Sequence, residues 1–147
     1  MKNFLILGVL IASITATAAD KKATKAKQGL RKPSSIECPV SSDVDDYQDK
    51  VATAIKATEN CGKAKEMAES CAFSSSVDMQ IAVTAERKCG LDFWKKLSKT
   101  DIEHYNSLQG KCSEKYKDME GTMYISAAAF CRLNVAALYS ELYTPGQ

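Results

Sequence analysis

The sequence holds one histidine, His104, and its six cysteines never form a Cys-x-x-Cys pair. The missing pair spacing excludes a zinc knuckle and a thioredoxin-type redox centre. Gly-x-Ser-x-Gly is absent, and so are the glycine patterns that cradle phosphates, which removes the common serine hydrolase and nucleotide-binding signatures. No stretch alternates polar and apolar residues for long enough to suggest a strand. Past the N-terminus no apolar run is long enough to cross a bilayer. There is no internal repeat and no second domain.

The one long apolar run is at the start, MKNFLILGVLIASITATAAD. Lys2 gives a minimal positive region, residues 4–14 an apolar stretch, and Ala16-Thr17-Ala18-Ala19 small residues suited to cleavage. The pattern predicts a secretory signal peptide over residues 1–19. No cysteine is near the cleavage site for a lipid anchor, so the expected location is secreted or periplasmic.

Charge is unevenly distributed. Residues 20–32 carry Lys21, Lys22, Lys25, Lys27, Arg31 and Lys32 against one acid, Asp20. From residue 33 onward there are thirteen Lys/Arg and seventeen Asp/Glu, a balance of minus four. Residues 20–37 read as a basic, disordered leader with almost nothing to bury. Such a leader could contact an anionic envelope surface. It has no interleaved aromatics, so nucleic acid is not an expected partner.

Residues 38–147 read as one all-α domain, a small bundle of about four to five helices. Ser42 with Asp45 resembles a capping box before a face of Val44, Tyr47, Val51 and Ile55. Asn60 and Gly62 bracket a break ahead of a short helix around residues 63–71. Ser76 is placed to cap a helix with the stripe Val77, Ile81, Thr84 or Ala85, and Cys89, which Gly90 would stop. Thr100 to Glu103 forms a capping box for a helix with Ile102, Tyr105, Leu108, Cys112, Tyr116 and Met119 on one face. Gly121 breaks it. The last helix carries Tyr124, Ala128, Cys131, Val135, Leu138 and Leu142 on its expected seam.

Cys38, Cys61, Cys71, Cys89, Cys112 and Cys131 are an even six in an exported chain, which implies up to three disulfides. Helix levels select a pairing. Cys112 stands about eight residues before the turn at Gly121 and Cys131 about ten after it, so at ~1.5 Å per residue they face each other. Cys61 and Cys89 stand about thirteen and fifteen residues either side of the turn near Phe73, which matches them in the same way. Cys38 is left with Cys71. Each bridge contributes about 2–4 kcal/mol.

Few residues could carry chemistry. The helix phase puts His104 at an edge or on the surface, with Asp101 and Glu103 close in sequence. Asp43, Asp45, Asp46 and Asp49 fit compensation of a helix dipole, and they lack the Gly and terminal Glu of an EF-hand. Trp94 reads as a core or edge aromatic rather than a sugar platform. No catalytic residue, metal ligand set or cofactor site is expected, and the chain reads as a binding protein, not an enzyme.

Residues 112–142, CSEKYKDMEGTMYISAAAFCRLNVAALYSEL, resemble the C-terminal half of LprI-type lysozyme inhibitor domains. Cys112, the turn Gly121-Thr122-Met123-Tyr124 and Cys131 match that family's motif. Upstream, Glu66-Met67-Ala68-Glu69-Ser70-Cys71-Ala72 resembles its Glu-Met-x-x-Cys-Ala segment. The chain departs from it at Leu108-Gln109-Gly110-Lys111, where the family carries Trp-x-x-x-Arg-Asp. The resemblance implies a helical, exported protein whose partner is lysozyme or a related wall hydrolase, inhibited by occlusion of its cleft. On that reading Asp118, Glu120, Gly121, Thr122 and Met123 are the expected partner contacts, with the turn near Phe73 as runner-up. The rival readings are a small-ligand carrier of the odorant-binding type and an envelope interaction protein with no inhibitory role. The carrier's cysteine spacing is missing, and an enclosed apolar cavity would be its structural mark.

Overall fold

The computed structural model describes residues 36–73 and 75–146. The expected signal peptide and nearly all of the basic leader lie outside the described residues. Five helices follow in order: α1 (Tyr47–Ala57), α2 (Cys61–Ser70), α3 (Val77–Phe93), α4 (Lys99–Tyr116) and α5 (Thr122–Tyr143), with a 3-10 turn at Trp94–Lys96 between α3 and α4. No strand occurs among the described residues. The domain is all-α and disulfide-stapled.

Cross-helix contacts give the topology. Asp78 meets Ser126, Glu86 meets Arg132 and Asp92 meets Ser140, so α3 and α5 run parallel. Cys112 joins Cys131 while Gln109 reaches the Arg132 carbonyl and His104 faces Tyr139, so α4 runs antiparallel to α5. Tyr47 packs by Phe73 at one end and Lys88 approaches the Lys56 carbonyl at the other, which sets α1 parallel to α3. The chain goes up and down with short turns, and α3 lies against α1, α2 and α5.

The core is built from small and medium side chains on these faces: Val51 and Ile55, Ala64 and Ala68, Ile81, Ala82 and Ala85, and Ala129, Leu133 and Ala136. Many alanines let the helix axes approach closely. At the end where α3 finishes, Phe93, Trp94, Tyr105 and Tyr139 form an aromatic cluster with neighbouring ring centroids 5.0–5.6 Å apart. Edge-to-face pairs such as Trp94–Tyr105 and Tyr105–Tyr139 suit the ring quadrupole and add to simple burial.

The bridges are Cys38–Cys71, Cys61–Cys89 and Cys112–Cys131, and no cysteine is free. They are the pairs that the helix levels select. One ties the N-terminal segment to the end of α2, one closes α2 on α3, and one closes α4 on α5.

Several local expectations are corrected. Ser42 does not cap α1. The cap position belongs to Asp46, in the left-handed region at φ 59°, a conformation that Asp tolerates better than most residues. Gly62 lies inside α2, which Asn60 opens by accepting from the Lys63 amide at 3.0 Å. Thr100 is already helical, because Ser98 and Asp101 make the reciprocal capping box of α4. The hydrogen bonds from Ser98 hold the Asp101 carboxyl below its ordinary pKa.

Gly90 does not stop α3, which continues to Phe93. A Cβ at Gly90 would lie 2.6 Å from the Trp94 ring nitrogen, so glycine is needed for close approach rather than for a turn. The seam of α5 is also rotated from the expected one. Ser126, Ala129, Phe130, Leu133, Ala136, Tyr139 and Ser140 are buried, whereas Leu138 and Leu142 are 50% and 63% exposed.

Candidate protein-contact site

The turn between α4 and α5 is built to project. α4 ends at Tyr116, and the Met119 amide closes back on the Tyr116 carbonyl at 3.1 Å. Gly121 then takes φ 110°, which a side chain would oppose, and its carbonyl accepts from the Tyr124 amide to open α5. Asp118, Glu120, Gly121, Thr122 and Met123 are all exposed, so the structure brings the five expected contact residues together on one turn.

Both legs of the turn are held. The Cys112–Cys131 bridge draws the two Cα atoms to 5.6 Å, and closer to the turn the Tyr116 and Tyr124 rings meet at 6.4 Å. Beside the turn, Met79, Tyr116, Met119, Tyr124, Ile125 and Arg132 border a shallow groove of about 200 Å3. Met119 and Ile125 are exposed there, and Met123 is exposed on the turn itself, so apolar side chains accompany the polar tip. Both signs of charge flank it, since Lys117 is ion-paired to Glu114 and Lys115 lies over the Tyr116 ring.

Two polar networks, one buried at this end of the bundle and one partly buried midway along it, were not legible as such in the sequence. Asp78 is fully buried and accepts four hydrogen bonds: from the amides of Phe73 and Ser75 at 3.0 and 3.1 Å, and from the hydroxyls of Ser75 and Ser126 at 3.2 and 3.1 Å. It joins the turn near Phe73 to the second turn of α5. A signal existed in Ser75-x-x-Asp78, half of a capping-box pattern, which the adjacent Ser76 masks. Ser76 occupies the cap position of α3, but its side chain makes no capping bond.

The second network runs across α3, α4 and α5. Gln109 Nε2 donates to Tyr105 Oη at 2.6 Å and to the Arg132 carbonyl at 3.2 Å, and Arg132 Nε lies 3.7 Å from Glu86 Oε2. Burial pushes the Glu86 carboxyl above its ordinary pKa, against the pull of Arg132. Burial, and then the Glu86 charge, push the Tyr105 hydroxyl up to about 12. Gln109 Oε1 is buried with no hydrogen-bond partner among the described residues.

The other expected positions are spread out. His104 is exposed on α4 with its ring Nδ1 3.1 Å from Tyr139 Oη. Trp94 is a half-exposed edge aromatic on the 3-10 turn. Phe73, the runner-up surface, is exposed and packs on Tyr47. Among the described residues no His, Cys, Asp and Glu group is placed to hold a metal ion, and no helix is long and apolar enough to cross a membrane. A groove of about 560 Å3 between the start of α2 and the end of α5 is open to solvent, with Lys65, Asn134, Glu141 and Thr144 in its lining.

The chain matches no protein-family model, no curated protein and no solved structure. Its fold and its site therefore stand on its own residues.

Proposed function

We propose that this chain is an exported binding protein that inhibits a lysozyme or a related cell-wall hydrolase by seating the turn at residues 118–123 in the enzyme's cleft. The observation that carries this reading is the turn itself: exposed along its whole length, carrying Met119 and Met123 with exposed Ile125 just after it, and pinned from behind by the Cys112–Cys131 bridge. A pre-ordered loop loses little entropy on binding, which favours an inhibitor that works by occlusion.

Charge supports the same partner. The chain from residue 33 onward carries a balance of minus four, and a basic hydrolase would be steered toward it. At the tip, Asp118 and Glu120 offer acceptors, Thr122 adds a hydroxyl, and Gly121 lets a partner approach the backbone. The carrier reading has less support, because the groove between α2 and α5 is open and mixed in lining instead of an enclosed apolar chamber.

The direct experiment is a turbidity assay of wall lysis with purified, oxidised protein beginning at Asp20, run against lysozymes of different types. Dose-dependent inhibition of at least one is expected. Failure against every lysozyme and wall hydrolase tried would end the inhibitor reading.

A further inference from the structure

On the side of α3 where α1 ends, a different surface gathers. Lys56 closes the last turn of α1, and Arg87, Lys88 and Leu91 follow on α3, where they line a shared depression of about 270 Å3 with Thr84. Lys88 Nζ reaches the Lys56 carbonyl at 3.5 Å, so the two helices present their cations together. None of Lys56, Arg87 and Lys88 lies within ion-pair distance of a carboxylate among the described residues. The neighbouring acids of α3 are engaged by other partners: Glu86, which also feels the Arg87 charge, lies 3.7 Å from Arg132, and Asp92 accepts from Ser140 Oγ at 2.6 Å. Glu59, in the turn after α1, is the exposed acid nearest in sequence to Lys56. Against a body of net negative charge, this edge is locally cationic.

The same edge exposes apolar side chains. Leu91 is 76% exposed, more than any other large hydrophobic among the described residues. Three residues on, Trp94 is 45% exposed, and Lys95 and Lys96 follow it on the surface. Leu91 has no packing reason to face water, since α3 buries Ile81, Ala85, Cys89 and Phe93 on its core side, and Trp94 rests against Gly90 and Tyr105 while nearly half of its surface stays exposed. Leucine and tryptophan set among lysine and arginine are the composition of a surface that lies in the headgroup region of a bilayer, with cations at the phosphates and apolar groups at the acyl boundary. A polyanion without an apolar layer would leave Leu91 in water.

We propose that the edge formed by Lys56, Arg87, Lys88, Leu91 and Trp94 docks on an anionic phospholipid surface. The surface lies apart from the turn at residues 118–123, so lipid contact does not depend on hydrolase inhibition. Leu91 and Trp94 enter the headgroup–acyl boundary, while the three cations pair with lipid phosphates.

Trp94 is the only tryptophan, so its emission reports on this edge alone. The oxidised chain beginning at Asp20 is titrated with vesicles of equal parts phosphatidylglycerol and phosphatidylcholine, with phosphatidylcholine vesicles, and with heparin. Binding to the mixed vesicles with a blue shift of Trp94 is expected, and none with phosphatidylcholine alone. Arg87→Glu should weaken that binding by about tenfold or more, and Leu91→Glu should abolish the blue shift. Both positions are exposed, and unchanged circular dichroism confirms that the variants are folded. The proposal is overturned if no binding occurs or if Trp94 keeps its emission on binding. It is equally overturned if both variants bind as the parent does, which assigns contact to Lys21, Lys22, Lys25, Lys27, Arg31 and Lys32. An equal Trp94 shift with heparin also overturns it, in favour of a general polyanion surface.

Discussion

Ser126 Oγ donates to Asp78 Oδ2 at 3.1 Å, and both side chains are buried. The bond links the first turn of α3 to the second turn of α5, 48 residues further along the chain. It fixes the base of the leg that leaves the exposed turn, as Cys112–Cys131 fixes the two legs to each other. The projecting loop thus rests on a covalent and a polar anchor, both hidden in the bundle.

The Asp78 carboxylate should therefore be the more costly member to lose. Asp78→Ala leaves two part-buried amides and two hydroxyls without their acceptor, and an expected loss of about 2–4 kcal/mol follows. Ser126→Ala removes one donor and should cost about 1 kcal/mol. Urea unfolding of the oxidised protein measures both. Equal and small losses would show that the carboxylate is not the anchor.

The Glu86 network gives a pH dependence with a definite sign. Burial raises the folded-state pKa of Glu86 above its unfolded value, with Arg132 opposing. Its contribution to stability is full below the unfolded pKa and is lost as pH rises through the folded one. Glu86→Gln should then match the parent near pH 3 and gain on it toward pH 7, a difference that develops through the carboxylate range around pH 4 upward. A variant that loses ground steadily as pH rises would mean that pairing with Arg132 outweighs burial.

Gly90 offers a packing test. Gly90→Ala brings a methyl to about the place where the Trp94 indole edge lies, 2.6 Å from its ring nitrogen. The better helix propensity of alanine, worth ~1 kcal/mol, is set against ~1–3 kcal/mol of overpacking. A net loss of about 1 kcal/mol is expected, with a red shift of tryptophan emission as the ring swings outward. A stabilised variant with unchanged emission would contradict the close approach.

How much of this was legible follows from which physical rule was at stake. The disulfide partners were, because short turns between antiparallel helices leave little freedom in the relative level of Cys112 and Cys131, or of Cys61 and Cys89. The buried face of α5 was not. Its only charges are Arg132 and Glu141, so apolar residues occur all round and no period singles out a core side. Gly90 was misread because a glycine near a helix end looks like a stop, and the ring that needs its space lies four residues on. Ser98 lost to Thr100 because two capping patterns overlap there. The burial of Asp78 depends on Ser126, which no local pattern connects to it. The exposed turn at residues 118–123 was legible from Gly121 and the flanking cysteines, whereas the exposure of the apolar side chains that accompany it depends on how α4 and α5 are rotated.

The central claim is that this turn is the surface that meets the partner. The measurement is lysozyme inhibition by the parent and by the double variant Glu120→Lys with Thr122→Arg, both oxidised and with matching circular dichroism and melting temperature. The account expects the parent to inhibit and the folded double variant to lose inhibition by about a hundredfold, the scale of a hot-spot loss. A parent that inhibits and a folded variant that inhibits equally well would contradict it, and would move the contact to another surface such as the turn near Phe73.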